Sequence, residues 1–227
     1  MNTLAIDSVT ATLAVTAAGP AGTATIALEG GPQHAESLVC LIEKAIGLAG
    51  FAPRETELVA CAEGPGSFTG LRIAYAAAKG IVLASGARLV PVPTLRCYAR
   101  SFSAWPGAVV CVLDAKKERF YAQVFRRGTA VTESLDIAPA EITAFLDPAE
   151  RVLVTGPDAD LFSEALEGTV PGLDLVSVPT GKAGISAAMA EFANTLGPEY
   201  TENVPDHAGP AYVRKSDAES NTAGKKT

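Results

Sequence analysis

The sequence has little positive charge, few cysteines and almost no histidine. Its 227 residues include 18 Lys and Arg against 25 Asp and Glu, which gives a formal net charge of −7. A protein that grips nucleic acid by itself needs a basic face to neutralise phosphates, and no block of Lys and Arg supplies one here. Lys116-Lys117 and Arg126-Arg127 are isolated pairs. We therefore expect no nucleic-acid binding by the chain alone.

Cysteine is also sparse, and its placement favours reduced thiols in the core. The cysteines follow neither the Cys-x-x-Cys spacing of metal and redox motifs nor the density of a secreted scaffold. They are Cys40, Cys61, Cys97 and Cys111. Residues 1–3 carry no basic region, and no uncharged apolar run reaches the roughly 18 residues that a membrane helix needs. We expect a cytoplasmic protein without a signal peptide and without membrane contact.

The two histidines do not predict a metal site. His34 begins a predicted helix, the residue one helical turn later is Leu38, and His207 lies in the polar C-terminal region. One imidazole at a helix start cannot hold a metal alone. Ser67 lies in Gly-Pro-Gly-Ser-Phe, which is not the Gly-x-Ser-x-Gly nucleophile elbow. We therefore predict no catalytic residue, no metal site and no cofactor held by this chain.

What the sequence does have is a glycine-rich loop between two apolar runs. Residues 58–62 predict a strand, and three glycines and a proline follow within seven residues. A helix is then predicted from about Thr69 to Ser85, with Ser67 or Thr69 as its cap. This geometry aims backbone N–H groups at one point, which suits a phosphate or another anion. A tight turn without a ligand remains the alternative, because the spacing matches neither the P-loop nor the dinucleotide fingerprint.

The elements around this loop follow a known order. Three short strands are predicted before the first helix, and their short connections favour an antiparallel meander. The strands cover residues 3–8, 12–17 and 22–28, and the helix covers about His34 to Ala49. With the next strand, the second helix and a strand at 88–92, the order resembles the ribonuclease-H-like half of actin-type ATPases and sugar kinases.

The end of the first strand is a second candidate for phosphate binding. In the ribonuclease-H-like fold this place forms a phosphate hairpin, and here it reads Asp7-Ser8. Asp7 is the candidate group for a metal or a phosphate, and its alternative role is a hydrogen-bonded carboxylate at a strand end. The residues predicted to bind a nucleotide or phosphate are Asp7, Ser8, Gly64, Gly66, Ser67 and Thr69.

The pattern changes after Trp105-Pro106-Gly107. A smaller α/β unit is predicted there, in which a charged turn joins two β-rich runs before shorter elements follow. The predicted strands are 108–113, 120–125, 151–155 and 173–178, and the predicted helices are 139–146, 158–166 and 184–196. We therefore divide the chain into an N-terminal ribonuclease-H-like lobe at 1–105, a smaller C-terminal lobe at 106–214 and a disordered tail at 215–227.

The two long helices predict an interface. The second is apolar around most of its circumference, and a helix of this kind must be covered on two sides. The sheet covers one side, and either the rest of the chain or a partner that packs on its small residues covers the other. The candidate interface residues are Leu38, Leu41, Ile42, Ala45, Ile73, Ala74, Ala77, Ala78 and Ile81. We expect self-association here, because a large exposed apolar face is rarely left bare.

The segment Gly64 to Ala74, GPGSFTGLRIA, resembles the signature of the TsaB family. Further segments resemble other parts of that family: Leu4 to Ser8, His34 to Leu38, Asp114 to Tyr121 and Pro210 to Arg214. The resemblance spans the chain and is weakest between about Thr129 and Glu202. It implies an actin-like ATPase (ribonuclease-H-like) α/β fold with two lobes, in which mixed sheets are flanked by helices.

The resemblance also implies a function. TsaB proteins are inactive paralogues that support the TsaD transferase in bacterial synthesis of threonylcarbamoyladenosine beside the tRNA anticodon. A similar chain is expected to be a non-catalytic scaffold that pairs with TsaD, or with a second copy of itself, through its two helices. It would also bring in a TsaE-type ATPase, with ATP and metal held by partner subunits. The alternative is an actin-fold ATPase or small-molecule kinase, although the turn at Asp114-Ala115-Lys116-Lys117 lacks the glycine of a second phosphate hairpin.

Overall fold

A computed structural model of the chain describes residues 1–30, 33–167, 172–196 and 209–213. Over these residues the chain forms two β-sheets, with helices between them and on their outer faces. The first sheet contains β1 (Thr3–Asp7), β2 (Thr12–Gly19), β3 (Gly22–Glu29), β4 (Leu58–Gly64) and β5 (Arg88–Pro93). The helices of this half are α1 (His34–Ala49), α2 (Phe68–Ser85) and α3 (Thr94–Arg100).

The first sheet has the strand order β3-β2-β1-β4-β5. β1, β2 and β3 pair antiparallel, which confirms the predicted meander, whereas β4 pairs parallel with β1 and β5 with β4. Parallel neighbours need a crossover, and α2 supplies it between β4 and β5. Because successive side chains of a strand point to opposite faces, Leu4 and Ile6 face α1 and α2 while Ala5 faces the other side.

The second sheet combines two long strands, β6 and β7, with four short ones. It contains β6 (Ala108–Lys116), β7 (Arg119–Arg126), β8 (Thr129–Ala130), β9 (Leu135–Ile137), β10 (Val152–Gly156) and β11 (Leu175–Pro179), and α4 (Ala159–Glu167) and α5 (Ser186–Thr195) complete this half. Its order is β11-β10-β6-β7-β8, and β9 pairs with β7. Residues Pro139–Phe145, predicted as a short helix, form a 3-10 helix that begins with the proline.

Helix α5 lies on the first sheet although it belongs to the C-terminal half of the chain. It packs against β1, β2 and β4 and also against α3. Two hydrogen bonds of 2.8 Å fasten it, because the Thr3 hydroxyl donates to Asn194 Oδ1 and the hydroxyls of Thr16 and Ser186 pair. The chain therefore returns to the N-terminal lobe after it has formed the second sheet. The division at residue 105 stays a prediction, and the tail at 215–227 lies outside the described residues.

The apolar core is arranged in layers. Val59 and Cys61 of β4 pack against α1 and α2, while Ala60 and Ala62 of the same strand face α3, α5 and the inner side of the second sheet. A third apolar cluster lies between the outer side of the second sheet and α4, and includes Phe162. Within the described parts of the chain, no helix is both long and apolar enough to cross a membrane.

Candidate functional site

The glycine loop forms a strand-to-helix turn that is fastened to the turn between β1 and β2. The Ser67 side chain caps α2, because its Oγ accepts a hydrogen bond from the Gly70 N–H at 3.2 Å. The Ser67 N–H donates to the Val9 carbonyl oxygen at 2.8 Å. The Gly64–Pro65 peptide bond is cis. The Ser67 cap predicted from the sequence is therefore present.

Two glycines of the loop are required by close packing against the β1–β2 turn. A Cβ on Gly66 would lie 2.6 Å from the Val9 Cβ, and a Cβ on Gly70 would overlap the Ser8 carbonyl oxygen. The Ser8 Oγ also donates to the Gly70 carbonyl oxygen at 2.7 Å. The two backbones thus meet without side chains between them. This contact explains both glycines without a phosphate ligand.

Asp7 is a buried carboxylate with a structural role. Its exposure is 0%, and Oδ1 accepts a hydrogen bond from the Val9 N–H at 3.1 Å while Oδ2 accepts one from the Ile185 N–H at 2.7 Å. Ile185 immediately precedes α5, so the carboxylate joins the end of β1 to the start of that helix. These contacts are those of a hydrogen-bonded carboxylate at a strand end, the alternative foreseen for Asp7, and binding of a metal or a phosphate by Asp7 stays a prediction.

Burial governs the charge of Asp7. Desolvation raises the pKa of Asp7 from 3.8 to about 6, although the two backbone N–H groups and nearby His34 act in the opposite direction. The carboxyl therefore changes its charge in a pH range where an exposed aspartate is already ionised. In this structure the two oxygens of Asp7 are used by the chain itself and are not exposed to solvent.

A cleft of about 690 Å³ lies between the β1–β2 turn and the second sheet. Gly66 and Ser67 line it on one side, Asp114 and Lys116 line it on the other, and Lys182 also lines it. Two of the six residues predicted to bind phosphate therefore reach the cleft.

The other four predicted phosphate-binding residues lie elsewhere. Asp7 and Ser8 are buried. Gly64 borders a smaller cavity of about 360 Å³, and Thr69 is exposed on the first turn of α2. Phosphate binding by the set of six stays a prediction.

The opposite wall of the cleft is the turn between β6 and β7. Lys116, Lys117 and Glu118 have φ angles of 65°, 58° and 59°, in the left-handed region that few residues other than glycine adopt. Asp114 accepts hydrogen bonds from the Lys116 N–H at 2.7 Å and from its Nζ at 2.6 Å. Although desolvation acts the other way, these bonds lower the pKa of Asp114, and the side-chain bond raises the pKa of Lys116. The charges of Asp114 and Lys116 are thus paired with each other.

The carboxylates in and near the cleft are engaged with other groups of the chain. Metal-bound phosphates are held through free carboxylates. Two carboxylates line the cleft. Asp114 is paired with Lys116, and Asp158 Oδ2 accepts a hydrogen bond from the Asp114 N–H at 2.8 Å. Asp7 is buried outside the cleft lining, with both oxygens bound to backbone N–H groups. Across the described residues, no three or more His, Cys, Asp and Glu side chains are grouped so that they could hold a metal ion. We therefore derive no catalytic step at this cleft.

The surface of α1 and α2 differs from the predicted interface. Six of the predicted residues are buried in the chain's own core, namely Leu38, Leu41, Ile42, Ala45, Ala74 and Ala78. Ile73, Ala77 and Ile81 are partly exposed at its edge. Helical periodicity identified the apolar stripe of each helix, but the sheet covers that stripe. The six buried residues are not available to a partner of the folded chain.

Other apolar residues of these helices face solvent. Val39 and Leu48 of α1 are 62% and 66% exposed, and Leu83 of α2 is 90% exposed. Ala76 and Gly80 of α2 are exposed as well. We call the surface formed by Ala76, Gly80 and Leu83, which share one side of α2, the outer helix face. Val39 and Leu48 are nine residues apart and therefore lie on opposite sides of α1. The sequence could have indicated the outer helix face, because its apolar residues lie outside the stripe that helical periodicity predicts to be buried.

Comparison with known proteins identifies the family. The family model for TsaD, described as tRNA N6-adenosine threonylcarbamoyltransferase, matches residues 28–204. Three curated relatives are named tRNA threonylcarbamoyladenosine biosynthesis protein TsaB. Those from Escherichia coli, Haemophilus influenzae and Bacillus subtilis are 29%, 27% and 25% identical over 56%, 41% and 51% of this chain. The matches cover 56%, 41% and 53% of those proteins, so the chain spans about half the length of the curated relatives it matches.

Solved structures share the fold. A Pseudomonas aeruginosa protein described as uncharacterised, with similarity to peptidase YeaZ, matches with a TM-score of 0.73 and 21% identity over 94% of this chain and 99% of that one. YeaZ from the same species matches with a TM-score of 0.66 and 20% identity over 85% and 91%. At these identities the likeness concerns the fold alone, and it confirms the predicted actin-like α/β fold with mixed sheets flanked by helices. The chain belongs to the family that the matching model describes and, within it, to the TsaB proteins.

Proposed function

We propose that the chain is a non-catalytic scaffold subunit in the synthesis of threonylcarbamoyladenosine on tRNA, and that it supports a TsaD-type transferase. The observation that carries this proposal is the outer helix face, where Leu83 is 90% exposed. A group of exposed apolar side chains on a folded chain is typical of a protein interface. The names of the TsaB relatives supply the pathway in which such an interface would act.

The chemistry of the cleft supports a non-catalytic role. A catalytic carboxylate must reach its substrate or its metal, and Asp7 has both oxygens committed to backbone N–H groups. On the other wall, Asp114 and Lys116 neutralise each other. The carboxylate of Asp7 and the pair of Asp114 and Lys116 are therefore engaged within the chain itself, which supports a scaffold role.

The outer helix face suits a partner that contributes helices of its own. Ala76 and Gly80 are one helical turn apart, and such small residues allow another helix to approach closely. In this proposal a TsaD-type transferase occupies the face within the complex, and a second copy of the chain occupies it when the chain is alone. A TsaE-type ATPase joins the complex, and ATP and metal are held by the partner subunits.

The pairing of basic residues supports a subunit that does not bind tRNA alone. Arg119 Nε lies 2.8 Å from Asp136 Oδ1, and Arg126 Nη2 lies 2.5 Å from Glu150 Oε1. Each phosphate contact needs a cation that is free to displace counterions. In a filter-binding titration at about 150 mM salt, we expect no sub-micromolar binding of tRNA by the isolated chain. Such binding would contradict the proposed division of roles.

The test of the scaffold role is reconstitution with the TsaD-type transferase of the same organism. The two proteins should co-purify as a complex, and modification of tRNA should require both. Leu83→Glu should abolish the complex while the chain stays folded. Leu161→Glu is the matched control, because Leu161 is 52% exposed on α4, away from the outer helix face. Equal complex formation by both variants would contradict the proposed interface.

An actin-fold ATPase or small-molecule kinase is the second candidate function. The cleft of about 690 Å³, with Lys116 and Lys182 in its walls, favours it. Calorimetry of the isolated chain with ATP and magnesium separates the two candidates. We expect no binding heat, and tight binding followed by turnover would replace the scaffold proposal.

A further inference from the structure

Residues 209–213 form a C-terminal segment that is docked on the glycine loop. The Ala211 N–H donates to the Glu63 carbonyl oxygen at 2.8 Å, which adds a backbone hydrogen bond at the end of β4. A Cβ on Gly64 would lie 2.6 Å from the Ala211 carbonyl oxygen, and the φ of Gly64 is +123°. Only glycine fits both conditions. The docked segment brings Tyr212 to the start of α2.

At that point Tyr212 and Phe68 fix the position of Arg72. The ring centroids of Tyr212 and Phe68 are 4.7 Å apart. Arg72 Cζ lies 3.9 Å from the Phe68 centroid, and Arg72 Nε donates to the Tyr212 hydroxyl at 3.2 Å. A guanidinium held by a ring face and by a hydrogen bond loses little side-chain entropy when it binds another group. Arg72 is thus preorganised for binding.

The outward edge of this guanidinium is available to a ligand. Arg72 is exposed, and its Nη atoms have no hydrogen-bond partner among the residues that the structure describes. The planar N–H groups of a guanidinium can bind both oxygens of a carboxylate at once. Arg72, Ala76, Gly80 and Leu83 follow one another at helical spacing on α2. The guanidinium therefore stands at the N-terminal end of the outer helix face.

We propose that Arg72, held by Phe68 and Tyr212, is the anchor through which the chain binds a carboxylate on its protein partner. The inference rests on the proposed function, because the anchor continues the surface assigned above to a TsaD-type transferase. Arginine and aromatic side chains beside an apolar surface have the composition of interface hot spots. The C-terminal segment becomes part of the binding surface through Tyr212.

The surroundings favour a protein carboxylate over a tRNA phosphate. Glu63 and Glu133 line the cavity of about 360 Å³ that Tyr212 also borders. These glutamates and the net charge of −7 repel a polyanion, which needs several cations in a row. A single preorganised guanidinium next to apolar residues suits one carboxylate in an otherwise dry interface.

The experiment measures the affinity of the full chain for the TsaD-type transferase by calorimetry. Arg72→Glu should weaken binding by about 100-fold, and Tyr212→Ala, which only releases the anchor, by about tenfold. Arg72→Lys keeps the charge without the planar fork and should also lose about tenfold. Arg96→Glu is the matched control, because Arg96 is another exposed arginine above a ring, 5.1 Å from the Phe192 centroid, on α3. It should change the affinity by less than about twofold.

The outcomes separate the anchor from the proposed function. If the wild-type chain forms no complex, the scaffold proposal fails and the anchor fails with it. If the complex forms and Arg72→Glu binds as the Arg96→Glu control does, only the anchor is overturned. If Arg72→Glu leaves the transferase affinity unchanged but weakens tRNA binding by the complex, Arg72 contacts phosphate and the carboxylate anchor is equally overturned. Circular dichroism of each variant confirms that the comparison is made between folded proteins.

Discussion

The first sheet carries helices on both faces, and the two faces differ in what lies beyond the helices. On one face α3 and α5 lie between the two sheets, and their apolar side chains are buried there, among them Leu95, Cys97, Met189 and Ala190. On the other face α1 and α2 use one side to cover the sheet, and solvent lies beyond them. Val39, Leu48 and Leu83 are exposed on that side.

This difference shows that apolar residues of one helix can serve either the folding of the chain or its association with a partner. In α2, Ala74 and Ala78 belong to the stripe that packs on the sheet, and their burial stabilises the isolated chain. Leu83 lies outside that stripe and removes little apolar area from water when the chain folds. The Leu83 side chain is removed from water only when the surface of another molecule covers it. Substitutions on the two sides of α2 should therefore affect stability and association separately.

The largest expected effect is at the contact between α2 and the β1–β2 turn. Gly70→Ala places a Cβ on the Ser8 carbonyl oxygen, and because that oxygen belongs to the backbone, the helix or the turn must move. We expect the free energy of unfolding, measured with urea, to fall by at least about 5 kcal/mol.

Gly80→Ala on the same helix is the control for Gly70→Ala. A Cβ on Gly80 meets no atom within 4 Å, and alanine has the higher helix propensity. Its free energy of unfolding should rise by about 0.5 to 1 kcal/mol. Similar unfolding curves for the two variants would mean that α2 does not rest on the β1–β2 turn.

The second effect is a difference in the free energy of unfolding between a substitution on the buried side of α2 and one on its exposed side. Ala78→Glu places a carboxylate at a position with 0% exposure and should reduce the free energy of unfolding by about 4 kcal/mol. Leu83→Glu should change it by less than about 0.5 kcal/mol, but should lower the mass of any self-associated species in light scattering. If Leu83→Glu unfolds the chain as Ala78→Glu does, α2 is covered on both sides by its own chain.

Local patterns in the sequence predicted the elements of this face well. α1 was predicted at its observed bounds, and α2 begins one residue before the predicted start. Gly50 and Gly86, both with positive φ, end these helices, and Ser67 caps the second. Signals of this kind act within a few residues, so they can be read without knowing the rest of the fold.

The contacts that decide the role of the site join distant parts of the chain and could not be predicted. Asp7 accepts a hydrogen bond from Ile185, and Arg72 donates one to Tyr212. Periodicity shows that Leu38 is apolar, but it does not show whether a sheet or a partner covers it. α3 was missed because Pro91 and Pro93 suggested the end of an element, whereas Pro93 is the residue before the helix.

The smallest of the three effects is a pH dependence of stability caused by Asp7, the residue that joins β1 to the start of α5. Burial raises the pKa of Asp7 to about 6 in the folded chain, against 3.8 for an ordinary aspartate. Between these pH values the folded chain holds a proton that the unfolded chain has released. The contribution of Asp7 to the free energy of unfolding should therefore fall as the pH rises from about 4 to about 6, by about 3 kcal/mol in total.

Other carboxyl groups titrate in the same range, so the measurement is the difference between the wild type and Asp7→Asn. Desolvation acts the other way, but hydrogen bonds and nearby positive charge, chiefly from Lys116 and Arg126, together lower the pKa values of Asp114 and Glu150, whose contributions are lost as the pH falls. These groups titrate in both proteins and cancel in the difference. Asparagine carries no titrating proton, and its amide N–H₂ meets a backbone N–H at a cost that is the same at every pH. Urea unfolding from about pH 4 to about pH 7 should show the wild type losing its advantage over the variant, because only the wild type must bury a charge. A difference that does not change with pH would mean that the Asp7 carboxyl is solvated and does not tie the start of α5 to the end of β1.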